Sequence, residues 1–246
     1  MANYGETALV RGLAFLAEKQ AATANNLANV DTTSFKRRTA IATDSNEDFQ
    51  SLLDQKLPTI TYTERSDMQR GILRETGNRF DLAIDGPWWM RVQDQKGGSY
   101  YTRNGQLQID KGGRLVTRDG LQVLDQNGQP IVIGTAEETP SDLSVSPNGK
   151  IQDPVTGQVW GPIGIFSLQR PEALVPIGKS LYVDPEKQSA THVGDGVQQG
   201  FLEGSNVDSL QELVQMIAVE RTFAASQKAL SGMNRLQQSL IANILR

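Results

Sequence analysis

The last 42 residues of the chain have the hydrophobic pattern of one long amphipathic helix. Apolar side chains recur along residues 205–246 mainly at steps of three, four and seven, so they line one side of a helix. No proline interrupts the segment, and either Ser205 with Asp208 or Asp208 with Gln211 can supply its N-terminal cap. At ~1.5 Å per residue the helix would be roughly 55–60 Å long, far longer than an average globular helix. A stripe of this length predicts an equally long partner.

A second amphipathic helix is predicted at the opposite end of the chain, from about Gly5 to Asn29. Apolar residues recur there at steps of three and four, and Asn3 with Glu6 resembles a capping box. Residues 21–29 are rich in small and amide side chains. We interpret them as a close-packed helix face. The alternative is an interface between neighbouring helices at which asparagines hydrogen-bond to one another.

The pattern changes twice between the two helices. Residues 40–79 are poorly patterned, with short strand-like pieces such as Thr59–Thr63, so we expect an extended or partly ordered connector. From Phe80 onward the apolar period changes from 3.6 to 2, which is typical of β-strands. The predicted strands are Phe80–Ile84, Trp88–Val92, Ser99–Thr102, Gln106–Asp110, Arg114–Thr117, Leu121–Leu124, Pro130–Ile133, Leu143–Val145, Lys150–Gln152, Gln158–Trp160, Ile163–Leu168 and Ser180–Val183.

Asn-Gly and Asp-Gly pairs separate many of these runs. Both residues tolerate positive φ, so we expect type I′ hairpin turns and an antiparallel β barrel or sandwich. The expected fold class is mainly β with long terminal α-helices that pack together and against other subunits. The expected division is residues 1–38 as an N-terminal helical assembly arm, 39–79 as the connector, 80–200 as the β body and 201–246 as the C-terminal assembly helix.

Composition and charge narrow the possible functions. The chain has 246 residues, 38% of them hydrophobic and 21% charged, as in ordinary globular proteins. It has no cysteine and one histidine, which excludes disulfides, thiolate metal sites and multi-histidine metal centres. The net charge is −4, with slightly basic terminal arms and an acidic interior, so we expect no nucleic-acid partner.

We also expect no direct membrane insertion and no cleaved signal peptide. No span approaches the ~20 apolar residues that a membrane helix needs. Near the N-terminus, Glu6 and Arg11 stand where a signal peptide would have an uninterrupted apolar region.

Each residue that could take part in catalysis or ligand binding also has a simpler structural explanation. His192 lies in a polar segment and is expected to be a solvated surface histidine. Asp81 and Asp85 could form a glycosidase pair, but a turn and a strand edge explain them as well. Trp88 and Trp89 could stack on a sugar in a secreted carbohydrate-binding or hydrolytic β protein. We prefer the interpretation that one of these two indole rings lies in the core and the other at a subunit contact. We expect no enzyme, no cofactor and no metal.

The two terminal helices favour a structural role. Two long amphipathic helices can bury little of their apolar surface against a compact β region, and they would gain most by packing against copies of themselves. Head-to-tail packing that does not close builds a helical tube or filament. A self-assembling structural protein is therefore the leading interpretation.

Three blocks of residues resemble the signatures of the bacterial flagellar rod and hook proteins. The first is Ala24–Lys36, with the sequence ANNLANVDTTSFK. The second comprises Asp81–Gly86, Tyr101–Gly105 and Leu115–Thr117, and the third is Gln199–Asp208. The blocks stand in the family's order and cover both ends and the middle of the chain.

The chain departs from the family pattern at two places. Ser34 stands where the family usually has glycine before its aromatic residue, and Pro87–Met90 replaces the usual glycine and paired phenylalanines. The second departure and the chain length favour the proximal-rod member over the distal-rod or hook-type members.

The resemblance implies a structural subunit of the flagellar basal-body rod. Such a subunit is exported unfolded through the flagellar type III apparatus without a cleaved signal and assembles in the periplasm. The resulting tube encloses the export channel and transmits motor torque to the hook. The implied partners are copies of the chain, other axial proteins of the rod and the export apparatus. We expect the assembly interface at Leu9, Leu13, Leu16, Asn25, Asn26, Leu27, Asn29, Leu210, Leu213, Ile217, Phe223, Leu230, Met233 and Leu240.

Overall fold

The computed structural model describes residues 4–44, 60–134 and 143–244, which form two compact units. As far as their residues are described, the helical unit comprises Met1–Val30, Arg38–Ser66 and Val207–Arg246. The β unit comprises Asp31–Arg37 and Asp67–Asn206. The four-part division expected from the sequence stays a prediction.

Two long helices dominate the helical unit, as the sequence predicted. Helix α1 is Tyr4–Ala28, and helix α2 is Ser209–Ile244, which is 36 residues long. The helices pack together in antiparallel orientation. A Cβ added to Gly5 would lie 3.4 Å from Met233 Cε, and the amide of Asn26 hydrogen-bonds to Glu212 at the other end of the pair.

Asp208 supplies the N-terminal cap of α2. Its Oδ1 accepts the N–H groups of Leu210 at 2.9 Å and of Gln211 at 3.1 Å, which would otherwise have no partner within the helix. No helix in the described ranges is long and apolar enough to cross a membrane.

A two-stranded antiparallel sheet completes the helical unit. Strand β1 is Arg38–Asp44 and strand β2 is Ile60–Ser66. Tyr62 packs against α1: its ring centroid lies 6.0 Å from that of Phe15, and its hydroxyl donates to the carbonyl of Arg11 at 2.9 Å. The predicted strand-like piece Thr59–Thr63 overlaps β2 from Ile60 onward. Most described side chains of these strands are exposed or half-buried, so no alternating apolar pattern predicts β1 or its pairing with β2. The rest of the predicted connector between the strands, residues 45–59, lies outside the described residues.

In its described residues, the β unit consists of antiparallel strands and one short 3-10 helix at Pro171–Ala173. In chain order the strands are β3 (Leu73–Glu75), β4 (Leu82–Ile84), β5 (Trp89–Gln93), β6 (Ser99–Thr102), β7 (Leu107–Ile109), β8 (Leu115–Thr117), β9 (Gln122–Val123), β10 (Ser144–Val145), β11 (Ile151–Gln152), β12 (Val159–Trp160), β13 (Ile165–Leu168), β14 (Val175–Gly178), β15 (Leu181–Val183), β16 (Ala190–His192), β17 (Val197–Gln199) and β18 (Phe201–Glu203).

The largest sheet of the described β unit has nine strands. Seven of them follow the order β14-β15-β6-β5-β9-β8-β7, while β13 pairs with β5 and β16 with β13. A three-stranded sheet, β10-β11-β12, and the pairs β4-β17 and β3-β18 complete the unit. Its main core contains Val92, Val123 and Ile163, which are almost fully buried. The predicted fold class is confirmed, but the sheets are open, so the barrel alternative is wrong.

The hairpin turns are not the type I′ turns that we expected. Type I′ needs positive φ at both central residues. In the Asp-Gly and Asn-Gly pairs ending at Gly120, Gly128 and Gly149, only the glycine has positive φ, between 77° and 84°. These hairpins have three-residue loops with a single left-handed position, which glycine adopts without a steric cost. A second residue with positive φ is therefore unnecessary.

Several strands were missed, and one predicted strand is absent. Strands β3, β14, β16, β17 and β18 are three or four residues long, too short for a reliable alternating pattern. Conversely, Pro130–Ile133 forms only isolated bridges, which pair Pro130 with Leu124 and Val132 with Arg114. Proline lacks the N–H that a ladder would need, which limits pairing here.

Candidate assembly surface

Helix α2 carries apolar residues on two opposite faces. Its inner face contains the buried Val219 and the half-buried Phe223, Leu230 and Met233, and Met233 reaches α1 at Gly5. A second set follows the spacing i, i+3, i+4, i+7 and therefore shares one face of the helix. We call this set the outer stripe: Leu210, Leu213, Val214 and Ile217.

The outer stripe is exposed in the described chain. Leu210 is 70% exposed, Val214 59%, Ile217 51% and Leu213 43%. Single apolar residues on a surface are ordinary, but a contiguous apolar face on one helix marks a site of interaction. The outer stripe is therefore the candidate assembly surface of the helical unit.

The structure separates the predicted interface residues into three groups. Leu210, Leu213 and Ile217 are exposed on the outer stripe, while Asn25 is exposed on α1. Leu240 lies on α2, but its side chain is outside those described. The remaining predicted residues are partly or fully buried within the unit: Leu9, Leu13, Leu16, Asn26, Leu27, Asn29, Phe223, Leu230 and Met233. Contact of any of them with another subunit stays a prediction.

Asn26 joins three elements of the helical unit. Its Oδ1 accepts the N–H of Arg38 at 2.8 Å, and its Nδ2 donates to the carbonyl of Arg38 at 2.8 Å. The same Nδ2 donates to Oε2 of Glu212 on α2 at 3.1 Å. The hypothesis that asparagines pair across a helix interface does not describe Asn26, whose partner on the other helix is a carboxylate. The side chain of Asn29 donates instead to the backbone carbonyl of Asn25, four residues earlier in the chain, at 2.8 Å.

The β unit contains a buried ionic cluster of Lys36, Arg103 and Glu203. The ammonium of Lys36 lies 2.7 Å from Oε1 of Glu203, and Arg103 Nε lies 2.6 Å from Oε2. Both side chains of the Lys36–Glu203 pair are fully buried, and the side chain of Arg103 is 2% exposed. Buried charges persist only where they are paired and hydrogen-bonded. The cluster meets that condition because one carboxylate contacts two cations.

Further hydrogen bonds fix each member of the cluster. Arg103 donates to the carbonyls of Ile84 at 3.1 Å and Gly86 at 2.8 Å, and also to that of Trp88. Lys36 Nζ donates to the carbonyl of Gln69 at 2.5 Å, and Glu203 Oε1 accepts the N–H of Gly71 at 3.0 Å. The cluster therefore joins segments that are far apart in the sequence.

The cluster shifts the proton affinity of two of its members. Burial by itself would raise the pKa of Glu203, but the guanidinium of Arg103 and the ammonium of Lys36 together hold that pKa below its usual value. Burial lowers the pKa of Lys36. Attraction to Glu203 acts in the opposite direction, but repulsion from the nearby guanidinium of Arg103 adds to the lowering. At neutral pH, Glu203 is therefore the anion on which both cations depend.

Ser34 adopts a left-handed backbone conformation that glycine adopts without strain. Its φ is 55°, in the left-handed region where a side chain is strained. Its hydroxyl donates to the carbonyl of Arg103 at 2.8 Å, and its N–H donates to the carbonyl of Glu203 at 2.8 Å. The serine at this position therefore accepts the strain of a left-handed residue and ties the turn to the main chain of Arg103 and Glu203.

Three family models match separate parts of the chain. A model described as "Flagella basal body rod protein" matches residues 8–36, "Flagellar hook protein FlgE/F/G D1 domain" matches residues 83–153, and "Flagellar basal body rod FlgEFG protein C-terminal" matches residues 198–243.

Relatives match almost the whole chain. The flagellar basal-body rod protein FlgG of Bacillus subtilis is 31% identical over 251 residues, covering 88% of this chain and 90% of the relative. The chain belongs to the flagellar basal-body rod protein family. The rod protein FlgF of Escherichia coli is 32% identical over 231 residues, with 88% of each chain covered. Proteins of this family are structural components and not enzymes.

The ionic cluster joins the three matched parts of this rod protein. Lys36 lies in the N-terminal match, Arg103 in the central match and Glu203 in the C-terminal match. The sequence blocks contained all three residues but gave no sign of their contact. Charge type and position cannot pair residues that are 100 or 167 positions apart.

The remaining candidates have structural roles in the rod protein. Asp81 is buried and accepts hydrogen bonds from Thr76 and Asn78, and Asp85 forms an ion pair with Arg70. Within the described ranges, no group of three or more metal-ligating side chains could hold an ion.

His192 and the tryptophans also have packing roles. The expectation of a solvated His192 is wrong: it lies in strand β16, half-buried, with its ring 5.9 Å from that of Phe166. Trp89 lies in the core, 5.0 Å from Tyr182, whereas Trp88 packs against the other core cluster. The two indoles therefore pack against different core clusters and do not share a sugar-binding groove.

Proposed function

We propose that this rod protein is a subunit of the proximal rod and assembles through its terminal helices into a helical tube. The observation that carries the proposal is the outer stripe of α2, an apolar face left exposed although the inner face of the helix is covered. Burying an apolar side chain fully contributes roughly 1.5–3 kcal/mol, so four partly exposed residues give a substantial driving force for association. Association along an open head-to-tail path builds a tube.

The proposed partners are copies of this chain and neighbouring rod proteins. The tube would enclose the export channel and transmit motor torque to the hook. The proposed location is the periplasmic part of the basal body, reached through the flagellar type III apparatus without a cleaved signal. The proposed location is supported by the similarity to relatives that are named as basal-body rod proteins. Nucleic-acid binding and membrane insertion form no part of the proposal.

A double substitution in the outer stripe tests assembly. We expect Leu213→Asp with Ile217→Asp to abolish rod assembly and motility, because two carboxylates would have to be buried at the interface. The matched control is Gln211→Asp with Thr222→Asp, which adds the same charges at exposed positions outside the stripe. Circular dichroism checks that both variants keep their helices. Normal motility in the stripe variant, with helicity intact, would reject the proposal.

The position along the rod needs its own test. The alternative to the proximal rod is the distal rod, since relatives named FlgF and FlgG match at similar identity. Labelling the chain in isolated basal bodies and imaging them by electron microscopy separates the two. A label next to the motor end supports the proximal position, and one next to the hook supports the distal position.

A further inference from the structure

Asp195 and Gly196 form one of six Asp-Gly or Asn-Gly pairs in the chain, and their geometry differs from that of the hairpin turns. In the pairs ending at Gly120, Gly128 and Gly149, the glycine N–H donates to the carbonyl of the residue three positions earlier. The N–H of Gly196 donates instead to Oδ1 of Asp195, at 2.8 Å. The main-chain nitrogen of Gly196 therefore lies against the carboxyl group of the preceding side chain.

This contact brings together the two groups that react when an aspartate isomerises. The nitrogen of the following residue attacks Cγ, the carbon that carries Oδ1, and closes a five-membered succinimide ring. The N–Cγ bond forms and one Cγ–O bond breaks, and the oxygen leaves as water with the amide proton and one proton from solvent. Because ring closure is intramolecular, its rate depends strongly on how the nitrogen and the carbon are held.

Water then opens the succinimide without any further reactant. Addition at the Cγ carbonyl restores aspartate, whereas addition at the former main-chain carbonyl gives isoaspartate. In isoaspartate the main chain runs through Cβ and Cγ, so it is one methylene longer, and the former main-chain carbonyl carbon becomes a free carboxylate. The composition and mass of the chain do not change.

Asp195 and Gly196 meet the other requirements of this reaction. Asp195 is exposed, so water reaches its carboxyl group. Gly196 has no side chain to obstruct ring closure, and its φ of 98° is a conformation that glycine adopts without strain. In another of the six pairs, by contrast, the carboxylate of Asp85 is engaged in the ion pair with Arg70.

The surroundings of Gly196 leave little room for a longer main chain. Its carbonyl accepts the N–H of Asp85 at 2.7 Å, and the next residue, Val197, begins β17 and lies in the main core. A Cβ added to Gly196 would lie 2.1 Å from Cζ3 of Trp88, so the main chain is already packed tightly against that indole. An extra methylene at Asp195 therefore displaces the start of β17.

We propose that Asp195–Gly196 is the preferred site of spontaneous isoaspartate formation in the folded chain, and that this isomerisation loosens strand β17. The proposal rests on the contact between the Gly196 nitrogen and the Asp195 carboxyl group, and it is independent of the proposed function. Strand β17 pairs with β4, so the expected damage is local to this edge of the β unit.

Peptide mapping of the aged full chain tests where isoaspartate forms. Trypsin cleavage at Lys187 separates Asp195 from Asp119, and electron-transfer fragmentation locates isoaspartate within each peptide. In the folded chain at neutral pH, we expect isoaspartate to form at Asp195 about tenfold faster than at Asp119, whose glycine is held in a turn. In denaturing urea the two rates should converge, because the contact geometry is lost.

Two results of the mapping would overturn the proposed site. One is equal or slower formation at Asp195 than at Asp119 in the folded chain. The other is a tenfold ratio that persists in denaturing urea, since the local sequence and not the folded geometry would then explain it.

A variant that cannot close the ring tests the effect on β17. Asp195→Glu keeps the charge but cannot form the five-membered ring, and Asp119→Glu is the matched control. After equal ageing, we expect wild type and Asp119→Glu to show a lower urea midpoint and a changed near-ultraviolet tryptophan signal, whereas Asp195→Glu keeps its fresh values. Unchanged values in isolated wild-type chains that carry isoaspartate at residue 195 would overturn the loosening of β17.

Discussion

At the scale of single residues, the β unit depends on one carboxylate. Glu203 is the shared counter-charge of Lys36 and Arg103, and all three side chains are inaccessible to water or nearly so. Replacing such a cluster with apolar residues can be neutral, but removing one member is costly. The three residues are therefore unequal, because Glu203 has two charged partners and each cation has one.

This asymmetry gives a prediction for Glu203→Gln. Glutamine keeps the size but leaves two buried cations unpaired, so we expect a loss of about 3–5 kcal/mol in the free energy of unfolding at pH 7. Lys36→Met should cost less: the lowered pKa of Lys36 means that its charged form opposes folding, and Glu203 keeps Arg103. Urea unfolding measures the change in the free energy of unfolding for both variants. The control is Glu186→Gln in the exposed pair with Arg170, worth at most about 1 kcal/mol.

The free energy of unfolding of Glu203→Gln should depend on pH differently from that of the wild type. The pKa of Glu203 is lowered in the folded chain, so its contribution is complete above the ordinary value near 4.5 and is lost as pH falls through the lower folded value. We expect Glu203→Gln to lack that acid-dependent component. Parallel loss of stability in wild type and variant between neutral pH and pH 3 would contradict this assignment.

At the scale of elements, four loops of the β unit share one design. The loops starting at Asp94, Asp110, Asp125 and Asp184 each use the aspartate to accept the N–H groups two and four residues later. Counting the aspartate as the first residue, the fourth residue of every loop has positive φ. This residue is glycine in the first three loops. In the last it is Lys187, with a φ of 48°. Lysine is strained there.

Lys187→Gly should therefore stabilise the chain. Relief of left-handed strain is worth about 1–2 kcal/mol, and the greater freedom of glycine in the unfolded chain offsets roughly half of it. We expect a gain of about 0.5–1 kcal/mol in urea unfolding. Ser34→Gly is the comparison: it relieves similar strain but loses the bond to the Arg103 carbonyl, so no such gain is expected. A destabilised Lys187→Gly variant would show that the strain argument is wrong.

The elements differ in how far the sequence reveals them. Both terminal helices, the Asp208 cap and most long-patterned strands were predictable, because their signals are local. The strand-like piece Thr59–Thr63 indicated part of β2, but β1 and its pairing with β2 were not predictable, since the described side chains of β1 are mostly exposed or half-buried. The outer stripe was partly predictable: Leu210, Leu213 and Ile217 share a face, but periodicity alone did not separate it from the inner face. The contacts of Asn26 and Glu203 depend on the tertiary fold.

At the scale of the whole molecule, the chain returns near its end to complete structures begun near its start. Strand β18 pairs with β3, and Asn206 accepts the N–H of Arg37 at 2.7 Å. The same asparagine donates to the carbonyls of Asp67 and Gln69, both at 3.0 Å. Residues 201–206 therefore contribute to the β unit far more than their number suggests.

Two truncations test this dependence. A chain ending at residue 206 keeps β18, Glu203 and Asn206, whereas one ending at residue 200 loses all three. We expect cooperative urea unfolding and a near-ultraviolet tryptophan signal for the β unit of the longer chain only, because the shorter one leaves Lys36 and Arg103 without their anion. If both chains unfold with the same midpoint, these six residues are dispensable.

The position of Glu203 also determines the order in which the charges of the cluster become available as the chain is delivered. Lys36 precedes its counter-charge by 167 residues, so any process that delivers the chain from its N-terminus exposes both cations long before the anion. During that interval, burying Lys36 and Arg103 is unfavourable, and premature closure of the β unit is disfavoured without any chaperone. Arrival of the Glu203 carboxylate removes the penalty. The buried cluster thus makes closure of the β unit depend on Glu203, which follows Lys36 by 167 residues and Arg103 by 100.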